Sequence, residues 1–445
     1  MLALFVLVIL IIIIDFFLKR KTISKLFTVR LFNFIWIIYY ALIIGNINQI
    51  GLSHITESYA KGLVFILILA MNIAFLTFLP RERVSSYESR TQEFIEDNNA
   101  IKKLVVNERG IILTVFVLFI LISIGSRNQF INLLNGNLDA IRRAAYFNEV
   151  GSATSAYGSG LDLILNQWIL PGILSALGAF GITLYIKGKI KFSTFFLIIA
   201  LVFYQSLITA GRRDLFEFII LFILSIFEIN RENILSFRRE KLTLIFDRRL
   251  INIIYIFVFV VIILLMITIG RADNEKINFL ETLSQYFLMP IAYGVKLIDN
   301  QFYEIEPLYG QTFFGGIIEW FIVIYRNLFN ENFFNNYQIF RISTSVFIEV
   351  LPTQFYNAQS TMLFPFFADG KILGIIFDSF LIIGIYSYIK KIYLKLKNIR
   401  SEIYYLIASW TIIGGALRWE LTQPSFFITL IFIYYFTSNI FLKKE

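Results

Sequence analysis

The chain has 445 residues, of which 58% are hydrophobic and 16% are charged, and its mean hydropathy is +0.72. Continuous apolar runs recur along it, and runs of roughly 17–25 residues are long enough to cross the hydrocarbon core of a bilayer. These properties exclude an ordinary soluble domain, and they exclude a β-barrel because barrel strands alternate apolar and polar residues. They predict an all-α polytopic membrane protein.

Charge and residue usage exclude further classes of function. The net charge of +9 comes mostly from Lys and Arg in short loops, a distribution typical of membrane topology rather than of nucleic-acid binding. The chain has no cysteine and one histidine, His54. The sequence therefore predicts neither a disulfide framework nor a Cys- or His-based metal site, and it predicts no cofactor.

Eleven apolar runs predict transmembrane helices. They lie at about 1–18, 31–48, 62–80, 110–126, 163–186, 192–210, 214–229, 250–270, 371–389, 402–417 and 424–441. This pattern divides the chain into eight helices in residues 1–270 with an outer loop at 127–160, a loop domain at 271–369, and three helices in residues 370–445.

The loop domain 271–369 is about a hundred residues long and rich in apolar and aromatic side chains. Two of its segments, 278–298 and 312–329, are apolar enough to be mistaken for spans. If both crossed the membrane, the segment DNQFYEIEPLYGQ would be cytoplasmic although it carries three acids and no base. Interfacial or re-entrant helices are therefore the main prediction, with thirteen spans as the alternative.

The positions of the basic residues predict the orientation. Most of the 40 Lys and Arg residues fall in the loops that follow the odd-numbered predicted spans. By the positive-inside rule those loops are cytoplasmic. The N-terminus is then outside, the C-terminus is cytoplasmic, and the loop domain 271–369 is extracytoplasmic.

Arginines recur at the predicted outer face, where this rule places few. Arg212 and Arg213 sit in AGRRDLFE, at the outer end of a helical hairpin. Glu217 lies one turn from Arg213 and can pair with it, whereas Arg212 has no such obvious partner. Charges at a membrane face are costly and often functional, so we expect Arg212 to bind an anion.

Five further arginines belong to the same predicted face. Arg142 and Arg143 point away from the apolar stripe of an amphipathic segment, Arg271 and Arg418 each follow a span, and Arg341 lies inside the loop. Each also has a simpler interpretation, as a solvated side chain or an anchor at a span end. Because arginine binds phosphate through two parallel hydrogen bonds, the set favours a lipid diphosphate as ligand.

A general base is not singled out by the sequence. The acids predicted in the outer compartment are Asp273, Glu281, Glu304, Glu306, Glu319, Glu349 and Asp369. Any of them is a candidate, since a carboxylate can accept a proton from a hydroxyl group once its pKa is suited to the task. Asp378, inside the ninth predicted span, is expected to pack against polar neighbours.

Three stretches resemble the O-antigen and capsule repeat-unit polymerases of the Wzy type. They are the small-residue turn ending in arginine, ITAGRRDLF, the loop sequence PLYGQTFFGGI, and TMLFPFFADGKILGIIFDSFLIIGIYSYI. In the last stretch Asp369, Gly370 and Gly374 match the Asp-Phe-Gly-type entry into the next span, whereas Lys371 departs from it. Arg212 and Arg213 correspond best to the outer-face arginines of the family.

The resemblance implies metal-independent, inverting glycosyl transfer at the outer face of the cytoplasmic (inner) membrane. The donor and the acceptor would both be oligosaccharides on undecaprenyl diphosphate. Arg212, Arg213, Arg271 and Asp369 are the expected catalytic residues; Arg142, Arg143, Arg341, Arg418 and Tyr309 are expected to bind substrate. Whether a chain-length regulator is a further partner stays open.

Two other functions are open alternatives at this point. A flippase for lipid-linked oligosaccharide would often show an internal repeat, and none is evident. An O-antigen ligase would usually carry a histidine in the large loop, and residues 271–369 contain none. A metal-dependent transferase with paired acids in its first outer loop fits poorly, because that loop has only Glu57.

Overall fold

The structure is a computed structural model. It describes residues 2–21, 26–80, 104–135, 164–208, 213–229, 279–302, 306–329, 335–343, 348–352, 354–356 and 360–444. The predicted eighth span at 250–270 lies outside these residues, as do Arg142, Arg143, Arg212 and Arg271.

The described residues are almost entirely helical. The helices are α1 (Leu2–Lys21), α2 (Phe27–Ile50), α3 (Glu57–Phe78), α4 (Glu108–Gly125), α5 (Arg127–Leu134), α6 (Leu170–Ile186), α7 (Phe192–Ile208), α8 (Arg213–Leu224), α9 (Phe279–Asn300), α10 (Gly315–Phe329), α11 (Asn335–Ser343), α12 (Leu363–Leu396), α13 (Ile399–Gly414) and α14 (Pro424–Phe436). Single π-helical turns, Leu165–Ile169 and Ser225–Ile229, adjoin α6 and α8.

Four short strands form two antiparallel pairs. β1 (Leu104–Val106) pairs with β4 (Leu442–Lys444), and β2 (Ile348–Leu351) pairs with β3 (Gln354–Tyr356) with an irregularity in its register. The prediction of an all-α membrane protein is confirmed at this level.

Five helical segments are long and apolar enough to cross a membrane. They are Phe27–Ile50, Glu57–Phe78, Glu108–Gly125, Leu165–Ile186 and Leu363–Leu396. Shorter apolar helices occupy Ala3–Leu18, Phe192–Ile208 and Pro424–Phe436. Each of these eight segments overlaps a predicted span. The total of eleven spans stays a prediction.

The chain divides into two compact units. The first contains Met1–Arg90, Asn278–Lys397 and Ala408–Phe427, and the second contains Thr91–Ile277, Asn398–Ile407 and Ile428–Glu445. In the first unit α3 packs against α12 along much of its length, and α2 packs against α3 and α9. Helix α9 of the predicted loop domain therefore shares a core with the N-terminal spans.

The buried glutamates that the structure describes in the second unit have hydrogen-bonding or ion-pair partners, as the cost of an isolated charge in a membrane requires. Glu228 accepts a hydrogen bond of 2.6 Å from the Tyr405 hydroxyl group, and Glu402 pairs with Lys187 at 2.8 Å. Glu217 accepts a hydrogen bond from the Ser175 hydroxyl group. The expected Glu217–Arg213 pair involves a side chain outside the described residues.

Helix α9 differs from a helix that lies on a membrane surface. From Leu288 to Asp299 nearly every side chain is buried, and α9 contacts α2, α12 and β2. A helix that is enclosed on all sides belongs to the interior rather than to an interface. That half of α9 therefore belongs to the interior of the protein, and the interfacial, re-entrant and spanning alternatives stay predictions.

The C-terminal end of α9 is joined to the turn between α2 and α3 by one carboxylate. Asp299, which is fully buried, accepts hydrogen bonds of 2.8, 2.7 and 2.9 Å from the backbone N–H groups of Ser53, His54 and Ile55. Burial acts to raise the pKa of Asp299, but these hydrogen bonds outweigh it and the pKa is lowered. His54 contributes its backbone N–H group here.

Asp299→Ala should lower the free energy of unfolding by about 3 kcal/mol, because it leaves three backbone donors without their acceptor. Since the folded pKa is depressed, the stabilisation is complete above the unfolded value of 3.8 and is lost as the pH falls through the folded pKa. Thermal unfolding in detergent at about pH 7 and about pH 3 measures this. A wild-type advantage of equal size at both pH values would contradict the assignment.

Candidate functional site

Helix α12 is broken near its N-terminal end, and the break creates the site. Gly370 has φ −176° and Lys371 has φ 56° and ψ −130°, so the helical conformation stops after Asp369 and resumes beyond Lys371. The two helical segments approach each other closely. A Cβ atom on Gly374 would collide with the backbone oxygen of Phe366, so only glycine fits there.

The Asp369 side chain holds the loop that precedes α10. Its Oδ1 accepts a hydrogen bond of 2.9 Å from the Thr312 N–H group, and its Oδ2 accepts one of 2.8 Å from the Phe313 N–H group. The Thr312 hydroxyl group donates at 2.6 Å to the carbonyl of Pro365. Both carboxylate oxygens of Asp369 are thus occupied by backbone donors, an arrangement that suits holding the loop better than attacking or deprotonating a substrate.

Backbone hydrogen bonds extend this contact between the loop before α10 and the start of α12, which we call the Asp369 junction. The N–H group of Leu308 donates to the carbonyl of Ala368, and that of Tyr309 donates to the carbonyl of Asp369, both at 3.0 Å. The stretches PLYGQTFFGGI and TMLFPFFADG, which the sequence separates by about fifty residues, are therefore in direct contact. Tyr309 itself projects outward and is 84% exposed.

Asp378 lies beneath Asp369 on the second segment of α12. It is buried, with 1% of its surface exposed, and its carboxyl group is close enough to that of Asp369 for the two to interact. Two neighbouring carboxyl groups in a buried site repel each other when both are charged, so one of them carries a proton. Because Asp369 already accepts two N–H donors, the proton belongs on Asp378, which then donates to Asp369.

A second charged cluster is centred on Glu319, in the second turn of α10. Glu319 forms an ion pair with the Nε of Arg341 on α11, and it accepts a hydrogen bond of 3.3 Å from the Tyr337 hydroxyl group. The Glu319 side chain is 12% exposed and that of Arg341 is 38% exposed. The cluster therefore has a largely buried carboxylate and a guanidinium group that reaches solvent.

Burial raises the pKa of Glu319 above its usual range, although the charge of Arg341, the Tyr337 hydrogen bond and the charge of Arg418 oppose the shift. Burial together with the charge of Glu319 also raises the pKa of Tyr337, so that its hydroxyl group stays protonated. A carboxylate with a raised pKa is a better proton acceptor near neutral pH than an ordinary glutamate.

Close packing fixes α10 between its neighbours. A Cβ atom on Gly316 would collide with the backbone oxygen of Gln423, so the start of α10 rests directly on the turn before α14. The indole N–H of Trp320 donates at 3.2 Å to the carbonyl of Pro424, and that of Trp419 donates at 3.3 Å to the carbonyl of Phe313. The Asp369 junction and the Glu319 cluster are therefore parts of one packed region.

Four of the nine predicted site residues meet in this region of the first unit. They are Asp369, Arg341, Arg418 and Tyr309. Arg213 begins α8 in the second unit, and its side chain lies outside the described residues, as do Arg142, Arg143, Arg212 and Arg271 altogether.

Glu319 emerges from the structure as the acid that the sequence did not distinguish. One signal was present: Tyr337 and Arg341 are four residues apart, which places both on one face of a helix where they can share an acidic partner. Within the described ranges, no three His, Cys, Asp or Glu side chains are grouped so that they could hold a metal ion.

Comparisons of this chain with protein-family models, with curated proteins and with solved structures find no match.

The proton assignment at Asp378 predicts different effects for two substitutions whose side chains branch in the same way. Asp378→Asn keeps a donor toward Asp369 and should leave the site intact. Asp378→Leu removes it and should lower the free energy of unfolding by about 1–3 kcal/mol, with faster amide exchange at Thr312 and Phe313. Thermal unfolding and hydrogen exchange of the 308–313 segment measure both effects. Equal behaviour of the Asn and Leu variants would refute the assignment.

Proposed function

We propose that this chain is a polysaccharide polymerase, a glycosyltransferase that joins undecaprenyl-diphosphate-linked oligosaccharide repeat units into O-antigen or capsular polysaccharide. The observation that carries the proposal is the Glu319 cluster. It combines a buried carboxylate whose pKa is raised with two arginines, Arg341 and Arg418, whose charges act on it. A proton acceptor beside cationic groups is what transfer from a diphosphate donor to a hydroxyl acceptor needs.

A contact between two segments of the first unit supports the proposed orientation, with the N-terminus outside, the C-terminus cytoplasmic and the reaction at the outer face of the cytoplasmic membrane. The turn around Ser53 and the segment after Asp299 are both assigned to the outer side by the distribution of basic residues, and they are in contact. Tyr59, at the start of α3, contacts Phe302, which stacks on Phe367 next to the break in α12.

The chemistry of the proposed reaction assigns a role to each group. A hydroxyl oxygen of the acceptor attacks the anomeric carbon of the donor, and the bond from that carbon to the diphosphate oxygen breaks. The diphosphate leaves with the electron pair, and the hydroxyl proton passes to the carboxylate of Glu319. Arg341 and Arg418 stabilise the negative charge that develops on the diphosphate.

Other parts of the proposal rest on the resemblance to the Wzy-type polymerases. Arg212, Arg213 and Arg271 as catalytic groups, and Arg142 and Arg143 as substrate-binding groups, stay predictions. The same holds for the eleven spans, for reaction without a metal ion, and for a chain-length regulator as partner.

The first test is polymerisation by the purified protein in the presence of EDTA. Incubation with a synthetic undecaprenyl-diphosphate repeat unit should give a glycan ladder. Arg341→Ala should slow it by about 100-fold, the usual cost of removing one group that stabilises transition-state charge, and Arg341→Lys should restore it only in part. The ladder is resolved by gel electrophoresis.

Arg326→Ala is the matched control, because Arg326 is an exposed arginine on α10, the helix that carries Glu319, and should leave the ladder unchanged. If the wild-type protein gave no ladder but moved the intact undecaprenyl-diphosphate repeat unit across a liposome membrane, the result would contradict the polymerase and support a flippase. A ladder of wild-type strength from Arg341→Ala would remove Arg341 from the site.

The rate of polymerisation should also fall as the pH is lowered through the pKa of Glu319, because only the deprotonated carboxylate accepts the proton. Since burial raises that pKa, the fall should lie above pH 4.5. Arg341→Ala removes a charge that lowers the pKa, so its residual activity should fall at a higher pH than that of the wild type. Initial rates between about pH 4 and pH 8 give these profiles.

Two substitutions complete the pH experiment. Glu319→Gln should be slow and should lose the dependence on pH. Glu306→Gln, which changes an exposed acid hydrogen-bonded to Asn336, should keep the wild-type profile. If Glu319→Gln retained the wild-type profile, a different residue would be the base.

A further inference from the structure

Lys371 has a backbone conformation that non-glycine residues rarely adopt. Its φ of 56° and ψ of −130° belong to a region in which glycine is favoured, although Gly370 stands next to it with an extended φ of −176°. Such strain persists only where the surrounding structure imposes it, and it is concentrated at ligand clamps and active sites. The roles assigned to the Glu319 cluster do not use Lys371.

The side chain of Lys371 is held in place by an aromatic ring. Its ammonium nitrogen lies 5.4 Å from the centroid of the Phe302 ring, within the range of a cation–π interaction. The Phe302 ring is itself packed, edge to face against Tyr59 at 5.6 Å and stacked on Phe367 at 6.2 Å. Lys371 is nevertheless exposed, so its charge is both positioned and accessible.

An exposed aromatic side chain accompanies this cation. Tyr309, 84% exposed and with φ 51°, is tied by its N–H group to the carbonyl of Asp369, two residues before Lys371. Apart from adjoining residues of the chain, no atom lies within 4 Å of the positions that Cβ atoms would take on Gly310 and Gly370. An aromatic ring and a positioned ammonium group thus border open space at the break in α12.

We propose that Tyr309 and Lys371 form a subsite for a phosphorylated sugar headgroup, with the sugar ring on Tyr309 and the phosphate beside the Lys371 ammonium group. Aromatic rings provide flat apolar surfaces for sugar rings, and lysine provides a compact charge for phosphate. The subsite deepens the polymerase function and rests on it for the identity of the ligand, the headgroup of a glycosylated polyprenyl diphosphate.

Substitutions at Lys371 separate backbone strain from charge. Lys371→Gly relieves the strain and removes the charge, so its melting temperature should equal or exceed that of the wild type while its affinity falls. Lys371→Ala keeps the strain and lacks the charge, and Lys371→Arg keeps both. Lys61→Ala is the control, because Lys61 is a lysine of the same unit that pairs with Glu57 at 3.3 Å.

Affinity is measured on the full chain in phosphatidylcholine nanodiscs with a synthetic undecaprenyl-diphosphate disaccharide as probe. We expect both Lys371→Gly and Lys371→Ala to weaken binding by about tenfold or more, the usual effect of losing one charge-assisted hydrogen bond. Lys371→Arg and Lys61→Ala should bind like the wild type. Unchanged affinity in both Lys371→Gly and Lys371→Ala would overturn the proposal.

A second arm distinguishes the sources of phosphate. Retention of phosphatidylglycerol by the protein is compared for the same variants by native mass spectrometry. Loss confined to the disaccharide probe supports the sugar-phosphate subsite, whereas an equal loss of phosphatidylglycerol would overturn it in favour of a bilayer headgroup. The binding assay does not depend on turnover, so the two proposals can fail separately. Absence of a glycan ladder would contradict the polymerase function, whereas Lys371-dependent binding of the probe would still support the subsite.

Discussion

The hydrogen bonds from the backbone of Thr312 and Phe313 to the Asp369 carboxylate are the interaction on which this region depends. They attach the segment between α9 and α10 to the start of α12, at the position where the helical conformation of α12 is interrupted. A buried carboxylate is stable only when its charge is compensated, and two N–H donors with a protonated neighbour at Asp378 supply that compensation. The position of the loop before α10 and the break in α12 therefore depend on the same hydrogen bonds to Asp369.

Several features of the site follow from that constraint. Phe313 is followed after one residue by Gly315, where α10 begins, and Glu319 sits in the next turn. Trp419, beside Arg418, packs its ring on Phe313 at 5.3 Å and donates to its carbonyl. The acid and one of its arginines thus belong to segments that both rest on Phe313, so their relative positions are set by packed aromatic rings rather than by mobile side chains.

The membrane helices were the predictable part of the fold, since hydropathy reports directly on the cost of placing a residue in lipid. α2, α3, α4 and α6 overlap the predicted spans with shifts of a few residues. α12 was predicted from residue 371, but it begins at Leu363, because the seven residues before the break are helical as well. Helix α9 was recognised as apolar, yet hydropathy cannot tell an apolar helix against lipid from one enclosed by α2 and α12.

The sequence predicted several residues of the site, but it did not predict the role of each residue. Asp369 stood out because glycine follows it in the sequence. Its role could not be predicted, because both of its carboxylate oxygens accept hydrogen bonds from the backbone of a loop about fifty residues away in sequence. Glu319 was one of seven acids with nothing local to separate it, since its burial comes from α11 and from the turn before α14. Lys371 was noted only as a departure from the family pattern. Lys371 is important because its φ angle is one that lysine rarely adopts. A sequence does not reveal such a strained backbone conformation, although strained residues are concentrated at functional sites.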